Sequence, residues 1–213
     1  EGMEDKFEHL PLECSHLYLA IEGKLAAVIC IEDPLREEAA DAVRELKEAG
    51  IAKVVMMTGD SERTAAAIAK RVGVDEYYSE VLPEDKASFV EKEKELGHKV
   101  IMIGDGINDS LALSSASVGI AISDGAAIAR EIADVTISAD NLHEIVTLKR
   151  LSTALMKRIH NNYRTIIGIN GGLIALGVTG IIMPTTSALL HNMSTLTISL
   201  RSMKNLLPKE GEE

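Results

Sequence analysis

Residues 100–113 read VIMIGDGINDSLAL, from Val100 to Leu113, and this stretch decides the fold. An apolar run stops abruptly at Gly104-Asp105-Gly106, and Asn108-Asp109 open what reads as a helix. A buried strand that ends in a tight, carboxylate-bearing turn is a natural place for magnesium and phosphate. Gly104 and Gly106 allow close backbone approach, so Asp105 can reach a magnesium ion. Asn108 and Asp109 brace that turn or support the metal. The bland alternative is a turn followed by an Asp helix cap. The Asn-Asp pair directly after a buried strand favours the functional reading. The stretch leaves one thing open, namely which group attacks the phosphate.

Working outward, the same pattern recurs. HLYLAI is a short strand candidate ending at Glu22-Gly23, and LAAVICI (Leu25–Ile31) reads as a fully buried strand. Asp33-Pro34 reads as a helix start, with Asp33 accepting from free amides and Pro34 at the first helical position. Gly50 stops that helix. AKVVMM, then Thr58-Gly59-Asp60, then SERTAAAIAKR and Gly73 give strand, turn, helix and stop. PEDKASFVEKEKEL is a helix, KVIMI a strand, SVGIAI and DVTIS further strands, with a helix expected around Ala126–Ala133. Apolar strands alternating with helices predict an α/β fold with a doubly wound parallel sheet. In such sheets ligands sit at the carboxyl ends of strands, where both Thr58-Gly59-Asp60 and Gly104-Asp105-Gly106 fall.

Thr58, with the Gly59 amide, can hydrogen-bond a phosphoryl oxygen. Otherwise Thr-Gly-Asp simply turns the chain and Ser61 caps a helix. Lys86 can place a cation on the same phosphate, or it is an ordinary surface lysine. Phosphoryl transfer asks mainly for such positioning and charge neutralisation.

Charge divides the chain. Residues 146–213 carry 8 Lys+Arg against 3 Asp+Glu, which leaves 14 against 30 of the totals of 22 and 33 for residues 1–145. The acidic front argues against nucleic acid as a partner. Cys14 and Cys30 lack metal or redox spacing and read as reduced structural thiols. The chain opens on Glu1 rather than Met, with no signal peptide visible, which suggests a fragment or processed product.

From Thr165 to Leu200 there is no Asp, Glu, Lys or Arg. That run suits two short membrane helices joined by a turn near Met183-Pro184, with a lipid bilayer as partner. Lys157, Arg158 and Arg164 flank one end and Arg201, Lys204 and Lys209 the other, which puts both flanks on the cytoplasmic side. Gly168, Gly171, Gly172, Gly177 and Gly180 would permit close packing in lipid. The alternative is a buried helical hairpin of a soluble protein.

Thr-Gly-Asp, then Lys, then Gly-Asp-Gly-x-Asn-Asp, in that order, resembles the haloacid dehalogenase-like phosphotransferases. With DPLR at Asp33–Arg36, MMTGDSERTAAAIAKRVGV, LPEDK, IGDGINDSLAL and AISDGAAIAREIADVTI, the chain is more closely similar to the transition-metal (heavy-metal) branch of the P-type ATPases. The likeness runs from Ser15 to Leu207. The usual T-G-D-N reads T-G-D-S here, with Ser61 last. The resemblance implies a nucleophilic Asp in a D-K-T-G-T motif that forms an aspartyl-phosphate. No D-K-T-G occurs in these 213 residues. The implied protein is an ATP-driven metal pump of the plasma membrane, with ATP and Mg2+ as substrate and cofactor. This chain would be its C-terminal portion, without the missing N-terminal part and inactive alone. Residues 1–30 would end the nucleotide-binding domain and 31–145 form the phosphorylation domain. Residues 146–207 would be a linker helix and two transmembrane helices, and 208–213 a tail. The resemblance places Thr58, Gly59, Asp60, Lys86 and Asn108 in catalysis and Asp105 and Asp109 at magnesium. It puts Asp33 and Pro34 at a hinge.

Polar groups inside a span usually mark a transport path. Asn170 lies in the first span, and His191, Asn192, Ser194 and Thr195 in the second. His suits zinc, copper or other borderline metals, and Asn and hydroxyls suit harder ions such as manganese. Helix-packing glue is the alternative. Two further readings stay open for the whole: a membrane-anchored phosphatase of the same superfamily, and a non-catalytic half-pump acting as a binding or regulatory module.

Overall fold

A computed structural model of the chain describes residues 15–31, 35–105, 108–122, 131–137 and 141–206. The chain divides into two compact units, Glu1–Val146 and Thr147–Glu213.

The first unit opens with an antiparallel hairpin of β1 (Ser15–Ile21) and β2 (Lys24–Ile31). Ile21 faces Lys24, so Glu22 and Gly23 form a two-residue turn, with φ of 50° and 74°. Two positive φ values in a two-residue loop match the twist of the flanking strands. The expectation that LAAVICI is fully buried is corrected here, because most of β2 is exposed. Its one substantial neighbour among the described residues is β1, and no described element forms a layer over it. A continuous apolar run means burial only when both faces are covered. Cys30 is a free thiol on this exposed strand, not a buried structural one.

After the hairpin come α1 (Ala39–Glu48), β3 (Val55–Met57), α2 (Glu62–Val72) and β4 (Glu76–Tyr78). The helix expected from Pro34 starts instead at Ala39, after a turn in which the Ala39 amide donates to the Arg36 carbonyl. Asp33 and Pro34 lie outside the described residues. Gly50 ends the helix with φ 94°, as expected. α2 is capped by Ser61, whose hydroxyl accepts from the Thr64 amide, and is stopped by left-handed Gly73. β4 pairs parallel with β3. It escapes a reading by apolar runs because it is only EYY between acidic residues.

α3 (Pro83–Glu95) begins with Pro83 at its first position, and the Leu82 amide donates to Asp85 Oδ2 at 3.1 Å. Then follow β5 (Ile101–Gly104), α4 (Ser110–Ser115), β6 (Val118–Ile122) and β7 (Val135–Ile137), with β5-β6-β7 a parallel ladder. The parallel sheet is thus present in two pieces among the described residues, β3–β4 and β5–β7. The helix expected around Ala126–Ala133 falls mostly outside the described residues. Ala87 and Val90 of α3 pack on Ala112 of α4, with Val100, Met102 and Ala116 against them. α4 also lies so near β6 that a Cβ on Gly119 would lie 2.6 Å from the Leu113 carbonyl oxygen.

The second unit is built from α5 (His143–Val178), which starts in the first unit, and α6 (Pro184–Ser202). The expected linker helix and first span are one continuous 36-residue helix. The turn falls where expected, with Gly180 at φ 72° and Pro184 opening α6. Among the described residues no helix is long and apolar enough to cross a membrane. Nor do the glycines seat a neighbour: a Cβ on Gly168, Gly171, Gly172, Gly177 or Gly180 would meet nothing within 4 Å. The hairpin is held by side chains instead. Arg158 donates to the carbonyls of Ser202 (3.0 Å), Lys204 and Asn205 (2.9 Å), and Asn162 Nδ2 donates to Ser202 Oγ at 2.7 Å. A guanidinium over the last carbonyls satisfies groups that a helix end leaves open and offsets its dipole.

Two outcomes follow for stability. Gly119→Ala should cost about 1–3 kcal/mol by forcing α4 from β6, readable as a lowered urea midpoint; Gly168→Ala, with open space, is the neutral comparison. Asp75 is held below the usual carboxyl range by the Lys47 ammonium and then the Val54 amide, and Glu62 by the hydroxyls of Ser79 and then Tyr77. Carboxyls depressed in the folded state contribute stability that is present above their unfolded pKa, about 4, and lost as pH falls below it. Acid unfolding of the Asp75→Asn, Glu62→Gln double variant should therefore be less steep in that window than wild type.

Candidate active site

β3 ends at Met57 and Thr58 follows directly. The Thr58 amide donates to the Tyr78 carbonyl and its own carbonyl accepts from the Val81 amide, both at 3.0 Å. Thr58 Oγ1 donates to Asp60 Oδ2 at 2.7 Å and accepts from the Asp60 amide at 3.1 Å. Asp60 therefore orients Thr58. The single hydroxyl proton faces that carboxylate and must turn from it to reach a phosphoryl oxygen. Gly59 is not required by crowding, since the nearest atom to a Cβ there would be the Val81 carbonyl oxygen at 3.8 Å. On the other side of this turn Glu80 is left-handed, φ 53°, and its amide donates to the Asp60 carbonyl at 2.9 Å.

Val81 leads at once to Leu82 and α3, whose fourth residue is Lys86. Lys86 Nζ meets Asp109 Oδ1 at 2.7 Å, with the two side chains only 16% and 12% exposed. Two ammonium protons remain for other acceptors. Asp109 stands at the N-cap of α4 and its carbonyl accepts from the Leu113 amide at 2.8 Å. Behind it lies the last residue of β5: a Cβ on Gly104 would sit 2.5 Å from Asp109 Oδ2. Gly104 is needed because the carboxylate occupies its side-chain space. Asp105 comes next, exposed, with Oδ1 accepting from the Asn108 amide at 3.3 Å. Gly106, between them, lies outside the described residues.

The predicted site residues thus fall into two groups. Thr58 and Asp60, bonded to each other, form one; the other holds the Lys86–Asp109 pair against Gly104 and, directly after Gly104, Asp105 with its bond from the Asn108 amide. The Val81-to-Thr58 backbone bond, five residues before Lys86, joins them. Val81 and Leu82 carry no chemistry in their side chains, so the sequence offered no sign of this tie. Magnesium takes one or two carboxylates and completes its shell with water and phosphate oxygens. Among the described residues no three His, Cys, Asp or Glu gather. Exposed Asp105 suits such a sparse site. Asp109 is less open, with one oxygen on Lys86 and the other against Gly104.

In the helical unit, His191 Nδ1 and Asn170 Oδ1 are 2.8 Å apart, which brings together two of the residues expected on an ion path. Asn170 Oδ1 can only accept, so Nδ1 donates, and in the neutral ring this tautomer puts the lone pair on Nε2. Ser194 and Thr195 both donate to the His191 carbonyl, at 2.8 and 3.1 Å. Asn170, His191 and Asn192 line a cleft of about 670 Å³ together with Leu173, Pro184 and Ser187.

Residues 2–117 match the family model described as haloacid dehalogenase-like hydrolase. The Mycobacterium marinum zinc-exporting P-type ATPase is 36% identical over 88% of this chain and 26% of its own length. Copper-transporting ATPase 2 of Rhizobium meliloti is 44% identical over 83% of this chain and 21% of its own. The Mycobacterium tuberculosis manganese-exporting P-type ATPase is 37% identical over 88% and 26%. The chain spans about a fifth to a quarter of the length of these curated relatives. A crystal structure of a zinc-transporting PIB-type ATPase in an E2.Pi state superposes with a TM-score of 0.81 at 30% identity, over 97% of this chain and 33% of that one. With its strand-tip carboxylates, its lysine helix and a family match over more than half its length, the chain belongs to the haloacid dehalogenase-like hydrolases, and its relatives are heavy-metal P-type ATPases.

Proposed function

We propose that this chain is the C-terminal portion of an ATP-driven heavy-metal cation pump that works through an aspartyl-phosphate, with the nucleophile on a part of the pump outside these residues. The observation that carries the reading is Lys86 held on Asp109 against Gly104, beside Asp105 at the strand tip. In this reading the Lys86 ammonium meets the transferring phosphoryl group with the protons Asp109 leaves free. Thr58 and the Gly59 amide hold a phosphoryl oxygen, and Asp60 fixes the Thr58 rotamer. Asp105 holds magnesium, with Asn108 bracing its turn and Asp109 supporting the cluster. Magnesium when bound would spread the charge of the phosphate. Such preorganised charge is the largest contribution expected in phosphoryl transfer. Asp33 and Pro34 would form the hinge to a nucleotide-binding domain that residues 1–30 close.

α5 and α6 are read as a membrane hairpin, with the first unit cytoplasmic and the whole in the plasma membrane. What supports this is the charge-free run from Thr165 to Leu200 and the placement of Arg158 and Arg201 at one end of the hairpin. The modest apolarity of α6 comes from its many hydroxyls. Ser194, Thr195, Thr197 and Ser202 all donate to carbonyls of their own helix, so none leaves an unmet donor. The His191 Nε2 lone pair and the oxygens of Asn170, Asn192, Ser194 and Thr195 would offer the transported divalent or transition metal its ligands.

The test is metal-dependent phosphoenzyme formation from ATP in the whole pump. Asp105→Asn should lower its level by roughly 100-fold or more, and His191→Ala should abolish its metal dependence while leaving phosphorylation by inorganic phosphate. The 213-residue chain alone should release no phosphate from ATP. A phosphoenzyme at wild-type level in Asp105→Asn would contradict the reading, as would ATP hydrolysis by the chain alone.

A further inference from the structure

Between Glu144 and Glu210 the sequence contains no carboxylate at all. Within the second unit, Lys157, Arg164, Arg201 and Lys204, all on the surface, therefore have no acidic partner among its described residues. They are far apart in sequence but near in height along the hairpin. Arg158 holds the carbonyls of Ser202, Lys204 and Asn205, and Asn162 holds Ser202, so the end of α6 lies against the turns of α5 that carry Lys157 and Arg164. Lys157 and Arg164 are two turns apart, roughly 10 Å at 1.5 Å per residue. All four side chains are exposed, while the Arg158 guanidinium between them is spent on the helix end. Four like charges held within about two turns of each other, with no carboxylate among the unit's described residues, repel one another, so the arrangement favours an anionic surface.

The lengths of the neutral helices say which surface. Thr165–Val178 and Pro184–Leu200 measure roughly 21 and 26 Å, short of the ~30 Å hydrocarbon core. A span this short draws its flanking cations into the headgroup layer, where the available anions are lipid phosphates and not water-borne ions. Tyr163, 63% exposed beside Arg164, has the amphipathic ring found at that depth. We infer that Lys157, Arg164, Arg201 and Lys204 form a collar that binds the phosphodiester headgroups of anionic phospholipids. The inference rests on the membrane reading of the hairpin for its depth, and the experiment separates the two.

The chain contains no tryptophan, so Tyr163→Trp gives a single reporter at the collar. The full 213-residue chain with this change is mixed with phosphatidylcholine vesicles holding a minor fraction of phosphatidylglycerol, and either lipid carries brominated acyl chains. At equal mole fraction, brominated phosphatidylglycerol should quench at least about twofold more than brominated phosphatidylcholine, and roughly 0.5 M salt should reduce the difference. Lys157→Gln, Arg164→Gln, Arg201→Gln and Lys204→Gln together should bring the ratio to one. The same number of neutralised lysines in the first unit (Lys53, Lys70, Lys92 and Lys99) should leave it unchanged. Flotation with pure phosphatidylcholine vesicles reads the hairpin separately. Flotation with equal quenching by the two lipids overturns the collar and spares the hairpin, leaving these cations to an acidic segment of protein. Flotation only with phosphatidylglycerol, lost in the collar variant, supports the collar and counts against spanning. Equal quenching without flotation overturns both.

Discussion

The contact between Lys86 and Asp109, pressed against Gly104, organises the first unit. It joins the first turn of α3 to the N-cap of α4 and the end of β5 at one point. Both side chains are mostly shielded from water, so losing either partner strands a charge. For a fully buried pair that costs ~3–5 kcal/mol, and the remaining exposure here sets the cost toward the lower end. The same shielding serves chemistry, because a lysine pinned by a carboxylate meets an incoming phosphate without first losing rotamer freedom. Around this point the packing is made of small residues. Ala87, Val90 and Ala112 let α3 and α4 approach, and Gly119 lets α4 lie on β6. The close backbone approach and the charge placement are therefore one arrangement.

Much of this was legible in the sequence. Ser61, Gly50, Gly73 and Pro83 cap or stop helices by local backbone chemistry, which needs no tertiary information. Thr58 and Asp105 fall at strand tips because apolar runs ending in glycine mark them. What local pattern could not supply was context. LAAVICI has the composition of a central strand and lies in an exposed hairpin, because burial depends on what covers a strand. EYY is too short and too acidic in its flanks to register as β4, yet its Tyr78 carbonyl holds Thr58. That Asp109 would pair with Lys86, 23 residues away, is a tertiary fact; by local pattern Asp109 reads as bracing the turn, supporting the metal or capping a helix.

The helical unit follows a different physical rule. Ser194, Thr195, Thr197 and Ser202 bond to their own helix, a Cβ on its glycines would meet no neighbour within 4 Å, and its two helices meet through Arg158, Asn162 and the Asn170–His191 bond. Polar side chains that couple helices at both the middle and the end fix the hairpin without an extensive apolar seam. Open faces and a cleft beside His191 then remain for further contacts.

The most direct measurement is the metal-dependent phosphoenzyme level in the whole pump for Lys86→Met, Asp109→Asn and the double variant. If Asp109 acts through Lys86, each single change should lower the level by roughly 100-fold, and the double variant should be no worse than the worse single. Effects that multiply, or a near-normal level in Asp109→Asn, would contradict the account.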